Sequence, residues 1–211
     1  MSSREPKDSR AYTAKFDRFY SRIAFAFDWF VKLFPLWRHW LNHVLPWIEG
    51  PRVLEVSFGT GYLLSQYANE VEAHGVDLNG KLARIASQNV KRSGKVAHLQ
   101  IANVEALPYA DQTFDTLVNT MAFSGYPDGR RAFEEFYRVL RPAGRLVLLD
   151  VSFPSGRSIL GTGMTKLWQA AGDIIRDVNK LCADYGFACE DREIGGFGSI
   201  HLYLAIKSAK R

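Results

Sequence analysis

Val53-Leu54-Glu55-Val56-Ser57-Phe58-Gly59-Thr60-Gly61-Tyr62 decides how this chain is read. A short apolar run, Arg52–Val56, follows the breaker Gly50-Pro51, passes into a turn holding two glycines, and leads to a helical pattern over 62–70. Glycines there let the backbone approach a ligand closely, and the opening turn of the helix offers free N–H groups. Outward from this unit the alternation repeats. Strands are predicted at 73–78, 96–102, 114–119 and 145–151, and helices at 80–92 and 130–140, the second stopped by Arg141-Pro142-Ala143-Gly144. A Gly/Ser-rich loop over 152–165 precedes one helix over 166–185, with Leu167, Ala171, Ile174, Ile175, Val178, Leu181, Cys182 and Tyr185 as its inner stripe and Gly186 as its stop. Two strands, 187–194 and 200–207, flank a Gly-rich turn at 195–199. The fold class is α/β: a seven-stranded, mostly parallel sheet between helices in three layers, with a C-terminal antiparallel hairpin.

Length and charge set the division into parts. A chain of 211 residues, 47% hydrophobic, suits one large domain and is too short for two ordinary ones. We expect an N-terminal helical arm or lid over 1–50 and a ligand-binding domain over 51–211. Residues 1–11 read as a frayed tail. From Phe16 a helical face follows (Phe19, Tyr20, Ile23, Phe27, Phe30, Val31, Phe34), flanked by a stripe that begins with Lys15, Arg18 and Arg22 and turns aromatic at Phe25 and Trp29. Pro35 breaks this helix, and Leu36, Trp37, Trp40, Leu41, Val44 and Leu45 form a second apolar face. Residues 1–47 carry 8 Lys/Arg against 4 Asp/Glu and hold 12 of the aromatics, so the net charge of +5 belongs mostly to the arm. A basic, aromatic-rich arm suggests an anionic surface as partner. No stretch reaches the roughly 20 apolar residues of a membrane span. The polar opening residues lack a secretory signal's apolar run. Two cysteines, Cys182 and Cys189, fit a reducing cytoplasm and rule out a disulfide framework.

The nucleotide that fits the turn is read from its glycines and acids. A dinucleotide fingerprint needs a third glycine where Leu64 stands, and a pyrophosphate would be repelled by Glu55. The spacing matches instead the acid-x-G-x-G-x-G pattern for S-adenosylmethionine, a cationic ligand, with Ser57 in the first glycine place. Asp77, 22 residues after Glu55 and ending the second strand, suits a carboxylate that accepts both ribose hydroxyls. The plain alternative is two ordinary strand-end carboxylates. Further segments agree in order: Ala102-Asn103-Val104-Glu105-Ala106-Leu107-Pro108-Tyr109 resembles G-D-A-E-x-L-P-F, Phe114-Asp115-Thr116-Leu117-Val118 resembles F-D-x-V, and Val139-Leu140-Arg141-Pro142-Ala143-Gly144 resembles V-L-K-P-G-G.

Over residues 52–207 the chain thus resembles the class I S-adenosylmethionine-dependent methyltransferases. Within them it is similar to the ubiquinone/menaquinone C-methyltransferase-like branch, which itself resembles bacterial phospholipid N-methyltransferases. Phe16-Asp17 and Ile23-Ala24-Phe25-Ala26-Phe27-Asp28 echo that branch's F-D-x-I-A-x-x-Y-D entry helix. The resemblance implies a Rossmann-like fold and a cofactor site made of Glu55, Ser57, Phe58, Gly59, Thr60, Gly61, Asp77, Leu78, Asn103, Val104, Asn119 and Thr120. Three positions depart from the pattern: Ser57 replaces glycine, Asn103 stands for the usual Asp, and Phe27 for the entry-helix tyrosine.

Methyl transfer asks the protein mainly to align nucleophile, methyl and sulfur and to exclude water. The aromatic arm points to a lipophilic acceptor, a quinol or a lipid headgroup, on a cytoplasmic enzyme that touches anionic membrane. The alternatives are a small soluble amine or phenol as acceptor, or a non-catalytic cofactor-binding homologue. Nucleic acid fits poorly: Asn119-Thr120-Met121-Ala122 occupies the place of an N-P-P-Y tetrad, and no basic stripe exists beyond the arm. Asn119, Tyr126, Asp150 and His201 are polar groups at strand ends, but the sequence names no catalytic base. His201 reads as structural. His39 and His43 sit four apart without a third ligand, so no metal site is expected.

Overall fold

The computed structural model describes residues 5, 6 and 8–209. Seven strands form one sheet in the order β3-β2-β1-β4-β5-β7-β6. They are β1 (Arg52–Val56), β2 (Glu72–Asp77), β3 (His98–Ile101), β4 (Phe114–Thr120), β5 (Leu140–Val151), β6 (Phe187–Gly195) and β7 (Ile200–Lys207). Strands β1 to β5 pair in parallel, and β7 runs antiparallel between β5 and β6. The helices are α1 (Ser9–Leu33), α2 (Pro35–Asn42), α3 (Leu64–Tyr67), α4 (Gly80–Arg92), α5 (Gly129–Val139), α6 (Ile159–Ala171) and α7 (Val178–Tyr185).

Alternation along the central strands builds two cores. Leu54, Val56, Leu117, Leu146 and Leu148 point to one face, where they meet Phe133, Phe136 and Val139 of α5 and Leu181 and Cys182 of α7. Val53, Val118, Val147 and Leu149 point to the other, against Trp40 and Leu41 of α2, Leu64 of α3 and Ala86 and Val90 of α4. This is the three-layer, Rossmann-like sandwich that the strand–helix alternation predicts. Helix α4 shows the local logic. Asn79 caps its first turn by accepting from the N–H groups of Lys81 and Leu82, and Leu82, Ile85, Ala86, Asn89 and Val90 form its buried stripe.

Four predicted boundaries need correction. The helix starts at Ser9, because the Asp8 carboxylate accepts the N–H of Ala11 and caps it; residues 1–4 of the expected frayed tail lie outside the described residues. The helix expected over 62–70 shrinks to the single turn of α3, the chain being packed against α4 through Gly61, where a Cβ would come within 2.9 Å of the Ala86 Cβ. The predicted loop over 152–165 ends at Ser158, whose side chain caps α6 by accepting from the N–H of Gly161. The single helix over 166–185 is two helices, broken at Gly172, whose φ is 120°. The break shifts the helical phase. Leu167 is 72% exposed and Ala171 is also exposed, whereas Ile174, Ile175, Val178, Leu181 and Cys182 are buried.

Candidate active site

Strand order reverses between β1 and β4, which opens a crevice beyond their C-terminal ends. Register pairs Val56 with Asn119, so the two exits lie side by side. The chain leaves β1 at Ser57 with φ 55° and β4 at Met121 with φ 51°. This left-handed conformation costs an L residue about 1–2 kcal/mol. Two contacts hold Ser57 in it: its N–H donates to the Val76 carbonyl (2.6 Å), and its Oγ shares a hydrogen with the Tyr126 hydroxyl (2.7 Å). Serine therefore adopts the turn conformation that a glycine takes without strain. Gly59 follows with φ 56°, and a Cβ there would meet only Phe27 Cε1, at 3.6 Å. The floor of the crevice is bare backbone at that point.

Two carboxyls face this floor. Asp77 ends β2 and accepts from the N–H of Gly59 (2.9 Å) and of Asn79 (2.8 Å). Burial pushes it up to about 6 although those donors pull it down. Glu55 is 2% exposed and accepts from the Tyr67 hydroxyl (2.9 Å); burial pushes it up to about 8. A buried acid that ionises with difficulty is stabilised by an adjacent cation, so this site favours a positively charged ligand. Both residues line a cavity of about 640 Å³.

All the residues assigned to the cofactor site line this cavity except Gly61 and Asn119. Gly61 serves the packing against α4. Asn119 is fully buried, and its Nδ2 donates to the Val56 carbonyl (3.2 Å) and the Tyr126 hydroxyl (2.7 Å), tying β4 to β1 beneath the cavity. The Asn103 Oδ1 accepts the N–H of Glu105 (3.0 Å) and shapes the loop after β3. Tyr126, on which Ser57 and Asn119 converge, stays a neutral phenol because burial raises it.

The opposite wall comes from the helices. Helix α1 crosses the mouth, and its N-terminal part is held by two contacts: Asn79 Nδ2 donates to Asp17 Oδ1 (2.7 Å), and the Tyr12 hydroxyl donates to the Gly172 carbonyl (2.8 Å). Further along, Asp28 accepts from Asn89 (2.8 Å) and Lys32 (2.7 Å), fixing α1 to α4. Phe16, Phe19, Tyr20 and Phe27 of α1, Trp37 of α2 and Trp168 of α6 face the cavity. The sequence reading missed Trp168 and Asp173. The signal for both was Gly172, which ends α6 and turns Asp173 into the cavity wall. His201 is committed on both ring nitrogens, to Asp191 Oδ1 (2.7 Å) and the Gly198 carbonyl (2.9 Å), as a structural histidine is. Among the described residues no group of three or more His, Cys, Asp or Glu is placed to hold a metal ion.

Comparison with known proteins agrees with this fold. Residues 54–148 match the family described as "Methyltransferase domain". It is similar to the ubiquinone/menaquinone biosynthesis C-methyltransferase of Geotalea daltonii, 30% identical over 125 residues that cover 56% of this chain and 53% of that protein. The chain thus spans about half the length of the curated relatives it matches. An S-adenosylmethionine-dependent methyltransferase from Thermotoga maritima shares the fold with TM-score 0.72 at 18% identity, covering 90% of this chain and 99% of that one. A Haemonchus contortus N-methyltransferase, solved with phosphomonomethylethanolamine and S-adenosylhomocysteine, shares it with TM-score 0.71 at 15% identity, covering 96% of this chain and 61% of the other.

Proposed function

We propose that this chain transfers the methyl group of S-adenosylmethionine to a lipophilic acceptor, a quinol ring or a lipid headgroup, at the cytoplasmic face of an anionic membrane. The observation that carries this reading is the two-walled cavity: a glycine floor with Glu55 and Asp77 on one side, and aromatic rings from α1, α2 and α6 on the other. The donor set suits this cofactor. Asp77 would take the ribose diol, the backbone at Gly59 and Thr60 would lie against the ligand, Asn103 and Val104 would border the adenine, and Glu55 would supply charge against the cation. The bound sulfonium supplies the methyl group together with its leaving group. This chain's own work is orientation and exclusion of water.

The aromatic wall supports an apolar acceptor. The outer face of α1 supports the membrane. Arg18 and Arg22 are exposed along it, and Phe25, Trp29 and Leu33 continue the same face at 78%, 63% and 65% exposure. A cationic stripe passing into large apolar side chains is the pattern of an interfacial helix. Among the described residues no helix is long and apolar enough to cross a membrane. The test is incubation with methyl-labelled S-adenosylmethionine and a bacterial lipid extract, followed by mass spectrometry. Label in a quinone or phospholipid fraction is expected. Label confined to water-soluble amines or phenols overturns the acceptor assignment.

A further inference from the structure

The acceptor side of the cavity holds a group the cofactor does not need. Ser124 Oγ lies 2.9 Å from Asp150 Oδ1 and 2.9 Å from Asp173 Oδ1. A serine hydroxyl has one hydrogen and can donate it to one carboxylate only. Two ionised carboxylates would leave the second contact as lone pair against lone pair, in a place where Ser124 is 4% and Asp150 is 1% exposed. The three oxygens therefore need one more proton. Its position follows from the other donors. Asp150 also receives the N–H of Ser124 on Oδ2 (2.8 Å) and the N–H of Val151 on Oδ1 (2.6 Å), which favour its anion. The serine hydrogen then points to Asp150, and Asp173 carries the extra proton on the oxygen facing Ser124. Asp173 lines the cavity beside Trp168, on the turn that Gly172 creates.

We propose that Asp173, Ser124 and Asp150 form a proton relay that takes the acceptor's proton during methyl transfer, with Asp173 as the catalytic residue touching the acceptor and Ser124 and Asp150 positioned behind it. The proposal rests on the methyltransferase reading above. The acceptor's N–H, O–H or ring C–H bond breaks as its nucleophilic atom bonds the methyl carbon, and the electron pair of the carbon–sulfur bond stays on sulfur. The released proton goes to the outer oxygen of Asp173, whose inner proton passes to Ser124 Oγ, whose hydrogen passes to Asp150 Oδ1. One positive charge is lost on sulfur and one negative charge on Asp150, so the net charge of the site is unchanged.

The surrounding groups leave this path intact. From α1, Tyr12 and Tyr20 face Asp173, both pushed up to about 12 by burial and therefore neutral. Tyr126, after β4, is neutral as well. Arg176, before α7, is committed to the carbonyls of Phe123 (3.0 Å) and Tyr126 (2.6 Å), with Glu5 at 3.8 Å from its Nε. Burial raises both Asp150 and Asp173, as a shared proton requires.

Two measurements decide it. Infrared spectra at pH 7.5 read the proton without any acceptor: the protein should show a protonated-carboxyl C=O band that Asp173→Asn lacks, and an identical band in both overturns the shared proton. Turnover is read with labelled S-adenosylmethionine and a ring-unmethylated prenyl-1,4-naphthoquinol. Asp173→Asn should lose about 10²-fold in kcat, the scale of one general acid–base group, with S-adenosylhomocysteine affinity and KM within threefold. Ser124→Ala should lose about tenfold in kcat and shift the acid limb of the pH–rate profile, and Ser124→Thr should restore both. Retained turnover in Asp173→Asn with unchanged fold overturns the relay. If the intact protein labels no quinol, the acceptor assignment fails and the infrared arm alone judges the relay.

Discussion

The two walls of the cavity are made of different material. The β1–β2 wall is backbone: Gly59 and Asn79 N–H groups fix Asp77, and the Ser57 N–H is tied to the neighbouring strand. The α1–α6 wall is side chains, mostly aromatic, on helices joined to the body by a handful of hydrogen bonds. Backbone positions are set by the sheet and tolerate little change, whereas aromatic rings can be exchanged without disturbing a strand. A ligand common to a whole family belongs on the first kind of wall, and a ligand that differs between relatives on the second. The lesson is that substitutions on the two walls should separate: one set acting on cofactor affinity, the other on acceptor and membrane.

Gly59→Val tests the first wall hardest. A β-branched residue at φ 56° is strained and covers the bare floor, so affinity for S-adenosylhomocysteine should fall more than about 100-fold, some 2.7 kcal/mol. Calorimetric titration showing intact binding would remove this turn from the site. Asp77→Asn comes next. Loss of charge-assisted bonds to a diol, about 1.5–3 kcal/mol, corresponds to roughly one to two decades in Kd. The pH dependence has two opposite signs. Folding raises Asp77 from 3.8 to about 6, so the native state binds the extra proton and ligand-free stability falls as pH rises through that window. Ligand affinity should rise over the same window, as the carboxylate forms. Asn should flatten both curves, and an unchanged pH dependence in the variant would assign it elsewhere.

On the second wall, the double change Phe25→Ala, Trp29→Ala should cut recovery with anionic liposomes several-fold and leave cofactor affinity alone, because both side chains are exposed. Equal flotation of the intact protein with neutral and anionic vesicles, at low and at high salt, would sink the membrane role. The smallest effect belongs to Tyr12→Phe. It removes one neutral hydrogen bond, about 1 kcal/mol, and should speed S-adenosylhomocysteine release about fivefold in stopped flow. No change in release would mean that this end of α1 does not hold the mouth closed.

The sheet and the backbone wall were legible in sequence because their signals are local. Arg52–Val56 reads as a strand, two glycines as a turn, and Asp77 as a strand-end acid, all within one unit. Ser57 was readable as a departure, but not that Val76 and Tyr126 would hold it in a glycine's conformation, since those partners lie 19 and 69 residues away. The helical wall was less legible. Gly161 and Gly163 suggested a loop where Ser158 caps a helix, and the apolar spacing ran through Gly172 as though no break existed. A glycine stands at 161 inside the helix because the chain passes close there: a Cβ would run into the Phe197 carbonyl oxygen. Such reasons are tertiary, and periodicity does not carry them.

Asn79 belongs to both walls. Its backbone N–H holds Asp77, and its side-chain amide holds Asp17 on the arm. A single residue that bridges two sites makes their occupancies interdependent, and thermodynamic linkage makes the dependence mutual. If seating the cofactor against Asp77 tightens the arm by some factor, then whatever settles the arm, acceptor or membrane, tightens the cofactor by the same factor. An enzyme wired in this way favours its reagent most where its target is already present.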